Sequence, residues 1–119
     1  MDEFEKQSRI FKILSVSTRV RMISLLKERP LCVNALAHAL TISAPAVSQH
    51  LRILRAADIV IADKRGYFVH YRINEEVLTE WNRITRELLS NSQDPETREN
   101  SVRISESEAP KDTCDEISR

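Results

Sequence analysis

The amino-acid sequence predicts a mainly α-helical fold with one small β-hairpin. Apolar residues recur at helical spacing in four stretches before the hairpin and again over residues 75–90. The intervening segment IVIADKRGYFVHYRI is rich in β-branched and aromatic residues and contains the only glycine of the chain, which is typical of two strands joined by a turn at DKRG. A length of 119 residues suits a single domain.

The helices before the hairpin can be placed from their apolar faces and their end signals. The first covers about residues 3–15, and the second covers residues 18–27 and is closed by Pro30. The third, VNALAHAL, covers residues 33–40, and Ser43 is placed to N-cap a fourth helix. Two short helices at this separation form a helix-turn-helix. The hairpin that follows makes the predicted architecture a winged helix-turn-helix.

The charge of the chain is unevenly distributed, although its formal total is zero. Residues 1–90 contain 14 basic and 10 acidic side chains, whereas residues 91–119 contain 4 and 8. The last segment also has few apolar residues and two prolines, so it cannot bury enough surface to offset the entropy of ordering it. We therefore expect a folded domain over residues 1–91 and an acidic, disordered tail over residues 92–119.

Targeting and membrane signals do not stand out in the sequence. No apolar run approaches the roughly 18 residues of a membrane span, and the N-terminal stretch MDEFEKQSRIF is acidic and amphipathic, unlike a secretory signal. The sequence thus predicts a cytoplasmic protein without a membrane partner. In that reducing compartment the two cysteines, Cys32 and Cys114, are expected to be thiols.

The fourth helix carries the clearest functional signal, in the segment SAPAVSQHLRIL. Val47, Leu51 and Leu54 share one face, which leaves small, hydrogen-bonding and basic side chains on the other. An α-helix fits the major groove of DNA, where Gln and Arg pair with base edges and Ser reaches phosphates. The sequence therefore predicts a double-stranded DNA operator as the partner of the folded domain. The predicted DNA contacts are Ser43, Ala44, Ala46, Ser48, Gln49, His50 and Arg52, together with Lys64 and Arg65 at the hairpin tip.

An enzyme and a protein-interaction module are the alternative functions. The sequence has no Gly-rich phosphate loop, and Ser48, His50 and Asp58 are too dispersed for a catalytic triad, so we expect no catalysis. A winged-helix module that contacts only proteins, with the acidic tail docking on a basic partner, remains the alternative function. A steep fall in duplex affinity with salt would favour DNA, because neutralised phosphates release counterions.

Residues 11–74 resemble the ArsR/SmtB (arsenic-repressor) family of bacterial metalloregulators. The pieces that carry the resemblance are LSVSTRVRMISLL, PLCV, VSQHLRILRAADIV and GYFVHYRI. The resemblance implies a homodimeric winged-helix repressor of transcription that leaves its operator when an effector binds. A member of the family with no metal effector is the alternative.

The last predicted helix supports a homodimer independently, because its apolar stripe is wider than the terminal helix of one small domain needs. Packing of the first and last helices against those of a second copy would place two recognition helices for half-sites about one helical turn apart, or a multiple of it. The predicted interface residues are Phe4, Phe11, Val77, Trp81, Ile84 and Leu88.

The effector is harder to predict, because the sequence departs from the metal sites of the family it resembles. The three-cysteine pattern of the arsenite-binding members falls here on Cys32, Asn34 and Ala37, and residues 75–90 contain no histidine for the family's other site. A thiol-based switch would have to use Cys32, most simply completed by Cys114. Arsenite, another thiophilic ion or a thiol oxidant is the expected effector.

Overall fold

A computed structural model describes residues 1–91 of the chain. The predicted tail, residues 92–119, and Cys114 lie outside the described residues. Residues 1–85 form one compact unit, and the described residues 86–91 belong to a second. Among residues 1–91, no helix is long and apolar enough to cross a membrane.

The described residues form five helices and a two-stranded antiparallel hairpin, in the predicted order. The elements are α1 (Glu3–Ile13), α2 (Ser17–Glu28), α3 (Val33–Leu40), α4 (Ala44–Ala56), β1 (Val60–Arg65), β2 (Phe68–Ile73) and α5 (Glu75–Leu89). The helix ends lie within about two residues of the positions that the apolar periodicity predicts. This order confirms the predicted winged helix-turn-helix, in which α3 and α4 are the helix pair and the hairpin is the wing.

The hydrophobic core lies where α2, α3, α4 and the hairpin meet. Met22 of α2, Leu36 of α3 and Leu54 of α4 are completely buried, as are Val47 and Ile59. The buried side chains of α4 recur every three or four residues and therefore occupy one face of the helix. Their burial fixes which face of α4 is left for other contacts.

Side-chain oxygens cap the first turns of α1 and α4. Asp2 Oδ1 accepts a hydrogen bond from the N–H of Glu5 at 2.8 Å. Ser43 Oγ accepts one from the N–H of Ala46 at 3.2 Å, as predicted. Each cap satisfies an amide group that the first turn of a helix leaves without an intrahelical partner.

The turns after α3 and α4 each use a left-handed residue that is not glycine. Thr41 has a φ of 56° directly after α3, and the N–H of Ile42 returns to the carbonyl of Ala37 at 3.1 Å. Asp58, with a φ of 62°, follows the last residues of α4, and the N–H of Ile59 likewise returns to the carbonyl of Leu54 at 3.2 Å. This helix-ending geometry is unfavourable for a β-branched residue such as Thr, but it reverses the chain within the three residues between α3 and α4.

The hairpin turn differs from its predicted position at DKRG. Residues 63–65 continue strand β1, and Gly66 and Tyr67 form a two-residue turn that joins β1 directly to β2. Gly66 has a φ of 64°, which glycine adopts readily and which the first position of such a turn requires. Asp63 lies in β1 and not in the turn, and its Oδ2 accepts a hydrogen bond from Nε of Arg72 on β2 at 2.6 Å. This contact connects the two strands behind the turn.

The Ser43 cap can be tested by its effect on stability. Replacing Ser43 with Ala should lower the free energy of unfolding by about 1 kcal/mol, because the N–H of Ala46 loses its acceptor. Urea denaturation followed by circular dichroism measures the change. Ser48→Ala is the matched control, since the Ser48 side chain is exposed on the same helix, and it should change stability by less than about 0.5 kcal/mol. Equal losses in the two variants would contradict the cap assignment.

Candidate nucleic-acid interface

The outward face of α4 is polar, and its side chains are available for contacts. Ser48, Gln49 and Arg52 are exposed, and among residues 1–91 none of these three side chains has a hydrogen-bond or ion-pair partner. Val47 and Leu51 lie on the opposite face with 0% and 2% of their surface exposed. The burial pattern thus places these three predicted contacts on one accessible surface.

The N-terminal end of α4 presents a small surface. Ala44 and Ala46 are half-buried and Pro45 is exposed, so no long side chain stands between the first turn and a partner. Ser43 is exposed, and its oxygen is engaged as the helix cap. The N-terminal end of a helix, where backbone N–H groups are free, also carries a partial positive charge, which favours a phosphate nearby.

His50 differs from the other predicted contacts on α4, because it is partly buried. Its Nδ1 atom is buried without a hydrogen-bond partner among the described residues, and the same holds for Nδ1 of His70 on β2. His38 is exposed on α3. Among residues 1–91 no group of three or more His, Cys, Asp or Glu side chains could hold a metal ion.

The wing places its two basic residues beside the turn. Lys64 and Arg65 are exposed, and in residues 1–91 their side chains have no ion-pair partner. Because neighbouring residues of a strand point to opposite faces, the two cations flank the hairpin on its two sides. Arg65 pairs in register with Phe68, the last pair before the turn.

The aromatic side chains of the wing tip were not among the predicted contacts. Tyr67, in the turn, is fully exposed, and Phe68 is 61% exposed. The signal that could have identified Tyr67 is its place directly after Gly66, the single glycine of the chain. A residue that follows glycine in a two-residue turn projects from the end of the hairpin.

The positive charge of residues 1–90 is concentrated in the helix-turn-helix and the wing. Between residues 29 and 74 the chain has six basic and two acidic side chains, a surplus of four that equals the surplus of the whole segment 1–90. One of the two acidic residues, Asp63, is paired with Arg72. A surface of this sign suits a polyanionic partner.

Cys32 lies at the junction between the wing and α3. It is half-buried and occupies the N-cap position of α3, but its side chain makes no capping hydrogen bond. Asn34 is exposed and Ala37 is half-buried, so the three-cysteine arrangement of the arsenite-binding members is reduced here to one thiol. A three-thiolate site for a metalloid therefore does not fit the described residues.

The predicted dimer face contains both exposed and buried side chains. Phe4 is 75% exposed and Phe11 37%, and Leu88 near the end of α5 is 49% exposed. Ile84 is only 4% exposed, and its carbonyl accepts a hydrogen bond from Nε2 of the buried Gln7 at 3.2 Å. Ile84 thus contributes to the interior of the protomer itself and ties α5 to α1.

Trp81 and Val77 occupy the region between α1 and α5 and are half-buried against the core. Both line a recess of about 220 Å³, and Trp81 also borders a second recess that it shares with Ile10. At the rim, Nη2 of Arg83 donates to Glu80 at 2.6 Å, and this hydrogen bond lowers the pKa of the Glu80 carboxyl. The carboxyl of Glu80, which borders this recess, is therefore already paired.

The helix pair, its polar outer face and the basic wing together define a winged helix-turn-helix protein of the transcription-regulator class. Comparison with known proteins agrees: residues 17–62 match the family described as "Bacterial regulatory protein, arsR family". The chain belongs to this ArsR/SmtB family of regulators, as its sequence resemblance indicates. Membership of a family of regulators also confirms the prediction that the chain is not an enzyme.

Individual relatives support the assignment. The chain is 45% identical over 69 residues to the arsenic resistance transcriptional regulator ArsR1 of Pseudomonas putida, covering 57% of this chain and 54% of ArsR1. It is 35% identical over 69 residues to the transcriptional repressor SdpR of Bacillus subtilis, covering 58% of this chain and 77% of SdpR. The match thus spans only about half the length of ArsR1.

A solved structure gives the same result. The crystal structure of a possible transcriptional regulator for arsenical resistance superposes with a TM-score of 0.63 at 31% sequence identity, covering 68% of this chain and 84% of that one. Because the identity and the coverage are both substantial, this likeness supports membership of the family as well as the fold.

Proposed function

We propose that this protein is a transcriptional repressor that binds a specific operator as a homodimer and leaves it when an effector binds. The observation that carries the proposal is the outward face of α4, where Ser48, Gln49 and Arg52 are exposed and have no partner in residues 1–91. Relatives named as a transcriptional repressor and as an arsenic resistance regulator support it.

The chemistry of this face matches the major groove. An Arg side chain can donate two hydrogen bonds to guanine, and Gln can pair with adenine, so Arg52 and Gln49 are the base-reading residues in this proposal. Ala44 and Ala46 offer no such hydrogen bonds, and they let the helix approach the base edges closely. The wing cations Lys64 and Arg65 contact phosphates, which contributes affinity without sequence preference.

Homodimerisation would use the exposed apolar side chains of α1 and α5. Phe4 is the best placed, because most of its ring surface is in water, and burying an aromatic ring against a second copy is favourable. The dimer would present two copies of α4 to two half-sites of an operator with two-fold symmetry. A DNA-binding regulator acts where the chromosome is, so a cytoplasmic location is part of the same proposal.

The effector is proposed to be a thiophilic species that bonds to Cys32. Since one thiolate is a poor site for arsenite or a similar ion, a second thiolate from Cys114 of the tail would complete it. To change operator occupancy from nearly full to nearly empty, the effector must favour the DNA-free form by about 5.5 kcal/mol. Two thiolate bonds would supply more of that preference than one.

The DNA-binding proposal is tested by alanine substitution on α4. Gln49→Ala and Arg52→Ala should each weaken operator binding by about 1–3 kcal/mol, because each removes a base contact. Titration of a duplex enriched from a randomised pool by the unmodified protein gives the affinities. Lys12→Ala is the control, since it removes an exposed charge from α1, outside the helix-turn-helix and the wing. Unchanged affinity in both α4 variants would exclude this helix from the interface.

The dimer proposal is tested with charge substitutions at exposed positions. Phe4→Glu and Leu88→Glu should convert the dimer into folded monomers, because a carboxylate in an apolar interface is costly whereas both positions are exposed in the protomer. Sedimentation velocity at micromolar concentration measures the association state. Val20→Glu, at an exposed apolar position on α2, should remain dimeric. A folded monomer for the unmodified protein would overturn the proposal.

The effector proposal is tested with arsenite as the probe. Cys32→Ser and Cys114→Ser should each abolish arsenite-induced release from the enriched duplex and leave the affinity without arsenite unchanged. Adding Asn34→Cys to the Cys114→Ser variant should restore release, because it supplies the missing thiolate from α3 itself. Release that persists when both native cysteines are Ser would place the effector site elsewhere.

A further inference from the structure

The tip of the wing exposes aromatic surface that the fold does not use. Tyr67 is fully exposed, Phe68 is 61% exposed and Val69 is 37% exposed, although these residues follow one another at the end of a short hairpin. Aromatic side chains contribute to stability when they are buried, so neither ring gives its full stabilisation to the protomer. Exposed apolar side chains grouped at one end of an element are suited to contact with a partner.

The geometry of the tip makes this surface narrow. Gly66 and Tyr67 form the whole turn, and the strands on either side are only two residues apart in the chain. Lys64 and Arg65 lie just behind the turn on opposite faces of the hairpin. The tip therefore has an aromatic apex with one cation on each side.

We infer that Tyr67 enters the DNA minor groove next to the sequence read by α4 and gives the protein a preference for A·T pairs at that position. This inference rests on the proposed DNA-binding function and adds Tyr67, in the minor groove, to the base-contacting residues of α4. The minor groove is about 6 Å wide and is bounded by two phosphate backbones. Cations on both faces of the hairpin, with a ring between them, are complementary to that arrangement.

The chemistry of the tyrosine side chain explains the base preference. Its hydroxyl can donate a hydrogen bond to N3 of adenine or O2 of thymine, the acceptors at the floor of the groove in A·T pairs. In a G·C pair the N2 amino group of guanine projects into the same space and obstructs the ring. A·T-rich segments also have a narrower and more negative minor groove, which strengthens the attraction of Lys64 and Arg65.

The tip is also held in place before DNA binds. The ion pair between Asp63 and Arg72 connects the strands behind the tip at 2.6 Å, and Gly66 adopts its positive φ in the free protein. Because Tyr67 is already in solvent, no internal contact has to be broken when the ring enters the groove. Little ordering of the wing is therefore required on binding.

The test uses three duplexes that share the enriched core and differ only in the flanking pairs under the wing: A·T, G·C and inosine·C. Inosine lacks the N2 amino group, so an I·C pair resembles A·T in the minor groove and G·C in the major groove. The unmodified protein should bind the A·T and I·C duplexes about fivefold more tightly than the G·C duplex. Tyr67→Ala should remove most of this preference, leaving only the part due to Lys64 and Arg65, and should leave the fold intact because the side chain is fully exposed.

Two variants separate this inference from the proposed function. Arg52→Ala should weaken binding to all three duplexes and keep their ratio, because it acts in the major groove. Tyr67→Phe should bind the A·T and I·C duplexes more weakly than the unmodified protein, since it lacks the hydroxyl donor. If Tyr67→Ala keeps the full ratio, or if I·C behaves like G·C, the inference is overturned while the function of α4 stands. If no duplex is bound by the unmodified protein, the proposed function itself fails.

Discussion

The burial of one face of α4 is the constraint on which the rest of the structure depends. Val47, Leu51 and Leu54 are inside the core with at most 2% of their surface exposed, and their combined burial corresponds to several kcal/mol. Rotating the helix to present another face would expose all three. The polar side chains on the far side are therefore directed outward by the packing of the core, independently of any partner.

The position of α4 along its axis depends on the turns at its two ends. The chain has one glycine, which lies in the wing, so Thr41 and Asp58 adopt the left-handed conformation at the ends of α3 and α4. Such a conformation costs a β-branched residue about 1–2 kcal/mol. The core offsets this cost, since Leu36 of α3 and Ile59, which directly follows Asp58, are completely buried. The strained turns at the ends of α3 and α4 are therefore stabilised by the packing of the core.

Most of the fold follows from patterns that are local in the sequence. Helical periodicity predicts all five helices to within about two residues, and the capping role of Ser43 can be read from its position alone. The hairpin turn could not be placed as well, because DKRG has the composition of a turn, whereas in the structure Asp63 lies in β1 and pairs with Arg72 of β2. That pairing becomes visible only when the register of the strands is known.

Long-range contacts account for what the sequence did not predict about the candidate sites. Ile84 has the spacing of an exposed apolar stripe, yet the contact between Gln7 and its carbonyl joins residues 77 positions apart and buries it within the protomer. The outward residues of α4 could be predicted, since a helical wheel identifies the core face by itself. The exposure of Tyr67 is indicated only by its place after Gly66, and that signal requires the turn to be placed at Gly66 and Tyr67 rather than at DKRG.

The segment before α3 gives Cys32 a connection to both DNA-contacting elements of the proposal. Leu31 exchanges two backbone hydrogen bonds with Tyr71 of β2, at 3.0 and 2.8 Å, and the carbonyl of Cys32 accepts one from the N–H of Leu36 at 3.0 Å. A ligand bonded to the Cys32 sulfur would therefore act next to the hydrogen bonds that connect the wing to the segment before α3. Coupling between distant sites requires an element that both can bias. In this chain Leu31 is hydrogen-bonded to the wing and Cys32 to the first turn of α3, so these two adjacent residues are the element through which the proposed effector would bias both.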